Sequence, residues 1–517
     1  MAMSTRIGIN LELKPNEVRS FLRELFKTQP SCVSRNYYHL KAEKASKEEL
    51  SKLKVCPPTI MLWGPPGIGK SAVVQEAAVD AGIPLENYAD IRLSTLEPVD
   101  LRGVPSVVNG RTIYNPPSFF PIGQNEIDEL LRKYNIPITE DREENLRELS
   151  RVLTREKVEK AILDKIENAI KQDKGVILFD ELPSAAHDIQ VAAYEIILDR
   201  KIGSYTLPIG WAIVAAGNRS KEVGAETSSY LPVPLANRMV HIGVDLNPKD
   251  WQEWAIDHGF NNTVVAFGLQ ELKSDATQEK KGFGPGEQES AKGVPAFLTP
   301  RSLEWLDYID KQIEQGILNN LGLDNDEEEK ERVGVALYRG AIGAQEAIRF
   351  NYLKKTLLYL LTAKEIYDHP DIAKEFNSIL LKKDDLTDND IETLAKLKAR
   401  ASGESESKVI SNYKNNFKTV YDQFYKTAIV ARTYLPVFNL IEEDIVRLSN
   451  NSADKDKFIN AVSSIVSNST RESDRSVLGL IEALGYKLGK YSVGNIEAQK
   501  HAASFQVAIE NARKKRK

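Results

Sequence analysis

The 517-residue sequence has few cysteines, only Cys32 and Cys56. Two cysteines are too few for the disulfide framework of a small secreted domain, and neither lies in a cluster with metal-ligand spacing. The sequence also lacks any run of the ~20 apolar residues that a membrane-spanning helix needs. Its opening stretch, MAMSTRIGINLELKP, shows no apolar core or cleavage pattern of a signal peptide. We therefore expect a soluble, cytoplasmic protein without membrane insertion.

An excess of charge of one sign is missing too. The sequence holds 69 Lys and Arg against 74 Asp and Glu, which gives a net charge of −5. This balance provides no overall attraction to nucleic acid or to an anionic membrane. With 42% hydrophobic and 28% charged residues, the composition is that of a globular protein, and the length suggests about three domains. Partners must therefore be selected by local surfaces.

The most specific motif lies in residues 59–71, TIMLWGPPGIGKS. A strand-like apolar stretch leads into a loop that fits G-x-x-x-x-G-K-[ST] without mismatch, and a helix-like stretch follows. Glycines let several backbone amides converge on one anion, and the helix N-terminus points at the same place. We interpret the loop as a phosphate-binding loop rather than a structural turn. The predicted nucleotide-binding residues are Gly64, Pro65, Pro66, Gly67, Ile68, Gly69, Lys70, Ser71 and Ala72.

Within this loop, two side chains have specific predicted roles. Lys70 is expected to reach the β- and γ-phosphates of ATP, and Ser71 to ligate Mg²⁺. A second apolar run, GVILFDE in residues 175–181, ends in two carboxylates. It predicts a buried parallel strand, at whose carboxyl end open α/β sheets bind ligands. Asp180 is expected to hold Mg²⁺ and Glu181 to orient or deprotonate the attacking water, whereas a solvated strand end is the alternative.

Three further polar residues stand at predicted element ends. Asn218 ends the apolar stretch WAIVAAGN, where an Asn can also simply cap a turn. Arg238 precedes another strand and suits phosphate contact, although a surface charge is the common alternative. Arg301 falls in the first turn of a helix that Thr299 and Pro300 are predicted to start. A cation there opposes the helix dipole, which hints at an anion nearby.

The rest of the chain divides by composition. Residues 1–55 predict a strand and an amphipathic helix, either packed on the nucleotide domain or used as a partner-binding surface. Residues 97–174 form an insertion punctuated by glycine and proline, and from residue 124 it becomes charged and helix-prone. This charged part is either a solvated helical insertion or a surface that moves with nucleotide state. The basic end, ARKKRK, is either a frayed terminus or a contact for nucleic acid or an acidic partner.

Taken together, the phosphate loop, GVILFDE, AAGN, LANR and TPRS resemble the motifs of AAA+ ATPases of the MoxR type, in the helix-2-insert clade. The five motifs occur in the family's order between about Pro57 and Tyr352. The resemblance implies an α/β fold: a P-loop three-layer αβα core with a parallel sheet in residues 56–247. A helical lid in residues 248–355 would follow. Beyond the range of the resemblance, the residues themselves predict an additional all-α C-terminal domain in residues 356–517, because amphipathic stretches recur there without strand alternation.

The resemblance also implies roles for the isolated polar residues. Asn218 resembles sensor 1, which positions the attacking water together with Glu181. Arg238 resembles the arginine finger, which reaches the γ-phosphate in the neighbouring subunit. Arg301 resembles sensor 2, which contacts nucleotide in its own subunit. The expected activity is Mg²⁺-dependent ATP hydrolysis at the subunit interfaces of a homo-oligomeric, hexameric ring. The expected catalytic residues are Glu181, Asn218, Arg238 and Lys70.

Proteins of this type resemble chaperones that remodel or activate protein partners, often partners with a von Willebrand factor A-type domain. We expect this function here. Two alternatives stay open. The first is a nucleic-acid-associated AAA+ motor, which the basic tail favours and the negative net charge disfavours. The second is a nucleotide-gated scaffold that assembles with ATP, turns over slowly and uses its C-terminal helices for docking.

Overall fold

The computed structural model divides the chain into two compact units, Met1–Leu246 and Asn247–Lys517. Both cysteines and the basic tail lie outside the described residues. The predicted division into four parts stays a prediction. The structure describes residues 12–28, 58–108, 111–139, 142–156, 160–171, 174–203, 205–208, 210–218, 231–272, 296–323, 326–362, 365, 368–380 and 386–421.

A six-stranded sheet forms the centre of the first unit. All of its strand pairs are parallel, and the spatial order is β1-β10-β2-β9-β6-β3. Two antiparallel hairpins, β4–β5 and β7–β8, stand apart from it. The strands are β1 Glu12–Leu13, β2 Thr59–Trp63, β3 Tyr88–Arg92, β4 Val104–Val108, β5 Arg111–Asn115, β6 Gly175–Asp180, β7 Lys201–Ile202, β8 Tyr205–Thr206, β9 Trp211–Gly217 and β10 Met239–Val244.

The three central strands explain why the motifs meet. Strands β2, β9 and β6 are short apolar runs that are buried almost throughout, as strands covered on both faces must be. They run parallel, with Ile60 opposite Val214 and Val176 opposite Ala212. Their carboxyl ends therefore lie at one edge of the sheet. The predicted parallel α/β core is confirmed, and residues that follow these strands become neighbours.

Helices flank this sheet. Helix α7, His187–Asp199, buries Ile189, Ala193 and Ile196 in a core shared with the sheet. The helices of the first unit are α1 Pro15–Lys27, α2 Lys70–Asp80, α3 Pro98–Arg102, α4 Gln124–Lys133, α5 Arg142–Arg155, α6 Lys160–Lys171, α7 His187–Asp199 and α8 Val233–Ala236.

The N-terminal helix α1 packs on α2, the helix that follows the phosphate loop. Arg19 of α1 forms ion pairs with Glu76 at 2.6 Å and Asp80 at 2.7 Å. Strand β1 adds to the central sheet beside β10. The described part of this segment, residues 12–28, thus packs on the sheet and on α2, as expected. The helical spacing of Val18, Phe21, Leu22, Leu25 and Phe26 predicts one buried face of α1. This prediction is partly wrong, because Phe21 is 42% exposed.

The charged insertion is helical, as predicted, and has an apolar core of its own. Helices α4, α5 and α6 enclose Ile127, Leu149 and Ile166, which are fully buried. Arg142 is also buried, and its guanidinium donates to the Ile122 carbonyl and to Gln124 Oε1, both at 3.0 Å. The segment is thus a small packed subdomain rather than a purely solvated insertion. Movement with nucleotide state stays a prediction.

Every described secondary-structure element of the second unit is a helix. Thr299 caps α11 by accepting a hydrogen bond from the Ser302 amide at 3.0 Å, and Pro300 is the first helical residue, both as predicted. Among the described helices of the chain, none combines the length and the apolar character of a membrane span. The main helices of this unit are α9 Pro248–Asp257, α10 Asn262–Glu271, α11 Pro300–Glu314, α12 Glu327–Ile342, α13 Ala344–Leu357, α14 Pro370–Leu380, α15 Asp388–Ser402 and α16 Glu406–Asn412.

Candidate functional site

The loop between β2 and α2 has the backbone geometry of an anion cradle. Gly67 and Gly69 adopt φ values of 78° and 93°, in the region that favours glycine. Gly69 is the N-cap of α2, so the helix begins at Lys70. The first amides of a helix have no acceptor within it, and they carry the positive end of the helix dipole. The loop and α2 can therefore bind a phosphate.

Lys70 lies inside this loop and links it to strand β9. Its side chain is only 8% exposed. The ammonium donates to the Gly64 carbonyl at 2.7 Å, the Pro65 carbonyl at 3.0 Å and Asn218 Oδ1 at 3.0 Å. Asn218 follows β9, next to the loop-bearing β2 in the sheet. Two residues predicted separately are thus in direct contact.

Ser71 and Asp180 form the second contact of the site. The Ser71 hydroxyl donates to Asp180 Oδ2 at 2.9 Å. The other carboxylate oxygen, Oδ1, accepts the backbone amide of Glu181 at 2.8 Å. A hydroxyl beside a carboxylate is the oxygen donor set that suits Mg²⁺ in nucleotide sites, where the phosphates provide further ligands. The two residues fit Mg²⁺ held together with a nucleotide.

A permanent, all-protein metal site does not fit these residues. Within the part of the chain that the structure describes, no group of three or more His, Cys, Asp or Glu side chains could hold a metal ion. Mg²⁺ is usually bound by one or two carboxylates plus substrate phosphates and water. A hydroxyl and one carboxylate leave the other coordination positions of such an ion to phosphate and water.

Strand β3 contributes polar residues that the sequence analysis missed. The Tyr88 hydroxyl donates to the Ser71 carbonyl at 3.4 Å. Burial raises the pKa of the Asp90 carboxyl, and the negative charge of nearby Asp180 raises it further. Burial likewise raises the pKa of Tyr88. The alternation in YADIR, which puts Tyr88, Asp90 and Arg92 on one face, was the available signal.

Glu181 is held by the end of β3. Its carboxylate accepts a hydrogen bond from the Ser94 hydroxyl and lies 3.6 Å from Arg92 Nε. Its backbone is left-handed, with φ of 57°, which is uncommon for a non-glycine residue. Such conformations are costly and cluster at functional sites. The carboxylate is about 40% exposed and can reach solvent.

Arg238 stands at the surface, between α8 and β10. Its guanidinium donates to the Tyr194 hydroxyl at 2.6 Å and lies 5.5 Å from the centre of the Tyr194 ring. It forms no described hydrogen bond with the loop cluster. Arg301 is exposed in the first turn of α11, within the second unit. The structure thus brings together Lys70, Ser71, Asp180, Glu181 and Asn218 around the loop, while the roles of the two arginines stay predictions.

Comparison with protein-family models gives no match for this chain, and comparison with curated proteins gives no significant match. The case for a function therefore depends on the geometry around the loop and on the motifs.

Proposed function

We propose that this protein is an AAA+ ATPase of the MoxR type, which hydrolyses ATP with Mg²⁺ in a hexameric ring. One observation carries the proposal. Lys70 and Ser71, at the start of α2, contact Asn218 and Asp180 at the carboxyl ends of two neighbouring parallel strands. This combination provides a phosphate cradle, a cation and an oxygen donor set within one small volume. It is the arrangement that phosphoryl transfer from a nucleotide needs.

The first part of the chemistry is binding. The loop amides and the Lys70 ammonium would hold the phosphates of ATP. Ser71 and Asp180 would hold Mg²⁺, which when bound offsets the negative charge of the β- and γ-phosphates. Asn218 Oδ1 already orients the Lys70 ammonium and would keep its amide group near the reacting phosphate.

The second part is hydrolysis. The oxygen of a water molecule attacks the γ-phosphorus, the bond to the β–γ bridging oxygen breaks, and Glu181 takes the water proton. Asn218 orients this water, and Arg301 contacts nucleotide from the lid of the same subunit. Arg238 provides positive charge from the neighbouring subunit as charge develops on the phosphoryl oxygens. Assembly and turnover are therefore coupled, and a dilute monomer should be nearly inactive.

The proposed work of the ring is to remodel or activate a protein partner in the cytoplasm, for example one with a von Willebrand factor A-type domain. The support is the resemblance of the five motifs to the MoxR type. The low cysteine count fits a reducing compartment. The net charge of −5 gives no support to nucleic acid as the main partner.

One observation favours a second candidate, a nucleotide-gated scaffold with slow turnover. The Glu181 carboxylate accepts a hydrogen bond from Ser94 and lies 3.6 Å from Arg92 Nε, and both contacts compete with an attacking water for this carboxylate. A ring in which these contacts persisted after ATP binding would assemble without rapid hydrolysis. The two candidates share the binding site; they differ in turnover and in the use of the C-terminal helices for docking.

The test is the ATPase rate as a function of protein concentration, with ring size followed by mass photometry. We compare wild type, Glu181→Gln, Arg238→Ala and, as a matched control, Arg332→Ala. Arg332 is an exposed arginine of α12 that pairs with Glu329 of the same helix. We expect activity to rise with assembly, both site variants to lose it, and the control to keep it. Wild-type turnover by Arg238→Ala in intact rings would refute the trans-acting role and favour the scaffold.

A further inference from the structure

A hydrogen-bonded pair joins the strand before the phosphate loop to the strand after Arg238. The Trp63 indole Nε1 donates to His241 Nδ1 at 2.8 Å, and the two rings stack with centroids 5.9 Å apart. Trp63 is the last residue of β2, and His241 lies in the adjacent strand β10. Both side chains are half-buried. The contact links residues 178 positions apart in the sequence.

The second nitrogen of His241 has its own partner. His241 Nε2 lies 2.7 Å from the carbonyl oxygen of Ala236. An indole nitrogen can only donate, so Nδ1 must be unprotonated to accept from Trp63. The ring hydrogen is therefore on Nε2, which donates to Ala236. A single neutral imidazole thus bridges two groups, and its tautomer is fixed by the partners on either side.

One end of this bridge lies next to the phosphate loop, and the other end lies next to Arg238. At one end, Trp63 immediately precedes Gly64, whose carbonyl accepts a hydrogen bond from Lys70 at 2.7 Å. At the other end, Ala236 is the last residue of α8, two positions before Arg238. The last carbonyls of a helix have no partner within it, so His241 satisfies one of them and fixes the turn that carries Arg238.

We propose that His241 is a positioning residue that couples the phosphate loop of a subunit to the Arg238 turn that the same subunit presents to its neighbour. This inference rests on the proposed function, in which Arg238 acts in trans. When phosphate binding shifts the start of the loop, the Trp63 indole moves with it. The His241 imidazole then transmits this shift to the Ala236 carbonyl. The position of Arg238 in each subunit would then depend on the nucleotide bound to that same subunit.

Mixed rings separate this effect from damage to a subunit's own site. Arg238→Ala subunits keep an intact hydrolytic site and lack the arginine, whereas Glu181→Gln subunits cannot hydrolyse ATP but still donate it. Mixing them should restore turnover above the sum of the separate preparations. Donors that carry Glu181→Gln with His241→Phe should restore at least about tenfold less, since a misplacement of about 1 Å can cost 100-fold.

Two further donors keep the test decisive if His241→Phe folds poorly. Glu181→Gln with Trp63→Phe removes the indole N–H together with the five-membered part of the ring, and should lose the rescue as well. Glu181→Gln with His258→Phe is the matched control, because His258 also stacks on a tryptophan, Trp254, at 4.2 Å but lies in the second unit. ATP binding and ring size are measured for each donor, and we expect each donor to keep the wild-type values of both.

The outcomes separate the proposed coupling through His241 from the trans-acting role of Arg238. The coupling is supported if donors with Glu181→Gln alone rescue turnover and the added His241→Phe or Trp63→Phe substitution lowers this rescue. The added His258→Phe substitution should leave the rescue unchanged. Full rescue by assembled His241→Phe and Trp63→Phe donors overturns it while leaving the trans-acting arginine intact. No rescue by any donor, with mixed rings present, overturns the trans-acting assignment and the inference that depends on it.

Discussion

The substitution Gly217→Ala tests whether the ends of β9 and β6 must be in close contact for turnover. Gly217 is the last residue of β9 and precedes Asn218. A Cβ atom at this position would lie 2.3 Å from Cδ and 2.4 Å from Cγ of Pro183. Pro183 belongs to the short turn Leu182–Ser184, which begins directly after Glu181. The added methyl group therefore pushes on the segment that positions Glu181.

The size of the effect follows from this overlap. Ordinary contacts begin at 3.4 Å, so the two groups must separate by about 1.1 Å. The proline ring is closed onto the backbone and cannot rotate away, so the displacement is shared by the backbone of both segments. A 1 Å error in catalytic geometry can cost about 100-fold in rate. Overpacking of this kind costs ~1–3 kcal/mol of stability, which a folded domain normally tolerates.

The assay is the ATP turnover number of assembled rings, together with ATP affinity and thermal unfolding. We expect a loss of about 100-fold in turnover and a much smaller change in affinity. Gly340→Ala is the matched control, since a Cβ there meets no atom within 4 Å. Wild-type turnover by folded, assembled Gly217→Ala would refute the argument that this contact sets the position of Glu181.

Two further predictions concern a buried ion pair and the resting state of the site. Lys354→Met should cost ~1.5–3 kcal/mol in urea unfolding, because it leaves the fully buried Asp310 carboxylate with only the neutral donors Tyr338 and Asn261. Lys355→Met, which breaks an exposed pair, should cost less than ~1 kcal/mol, and equal costs of the two substitutions would contradict this expectation. Ser94→Ala should raise basal ATP turnover up to about fivefold, because it frees Glu181 from an exposed hydrogen bond. Turnover below that of wild type would show that Ser94 aids hydrolysis instead.

Local patterns in the sequence sufficed for the core of the fold. Strands β2, β6 and β9 are buried on both faces, so each appears in the sequence as a short apolar run. The loop that leads to Lys70 follows β2, Asp180 ends β6, and Asn218 follows β9. Parallel pairing then places those polar residues at one edge, which is why Lys70, Asp180 and Asn218 could be predicted as neighbours. The N-cap at Thr299 was predictable for the same reason, since a cap depends on residues one turn apart.

Features that depend on distant parts of the chain could not be predicted in this way. The contact between Trp63 and His241 depends on the order and register of strands, which no local pattern specifies. The left-handed backbone of Glu181 contradicts the local preference of glutamate and is imposed by tertiary packing. Phe21 has the helical spacing of a buried residue but lies at the edge of the packed face, where spacing alone does not decide burial.

The most direct test of the central claim is a calorimetric titration of the purified protein with ATP and Mg²⁺, for wild type and Lys70→Met. Lys70 provides a buried ammonium at the loop, and a hydrogen bond to a charged group is worth ~1.5–3 kcal/mol. We predict saturable binding by wild type, binding at least about tenfold weaker by Lys70→Met, and unchanged binding by Lys355→Met. Equal affinity of Lys70→Met and wild type, or no binding of ATP by the folded wild type, would contradict the account.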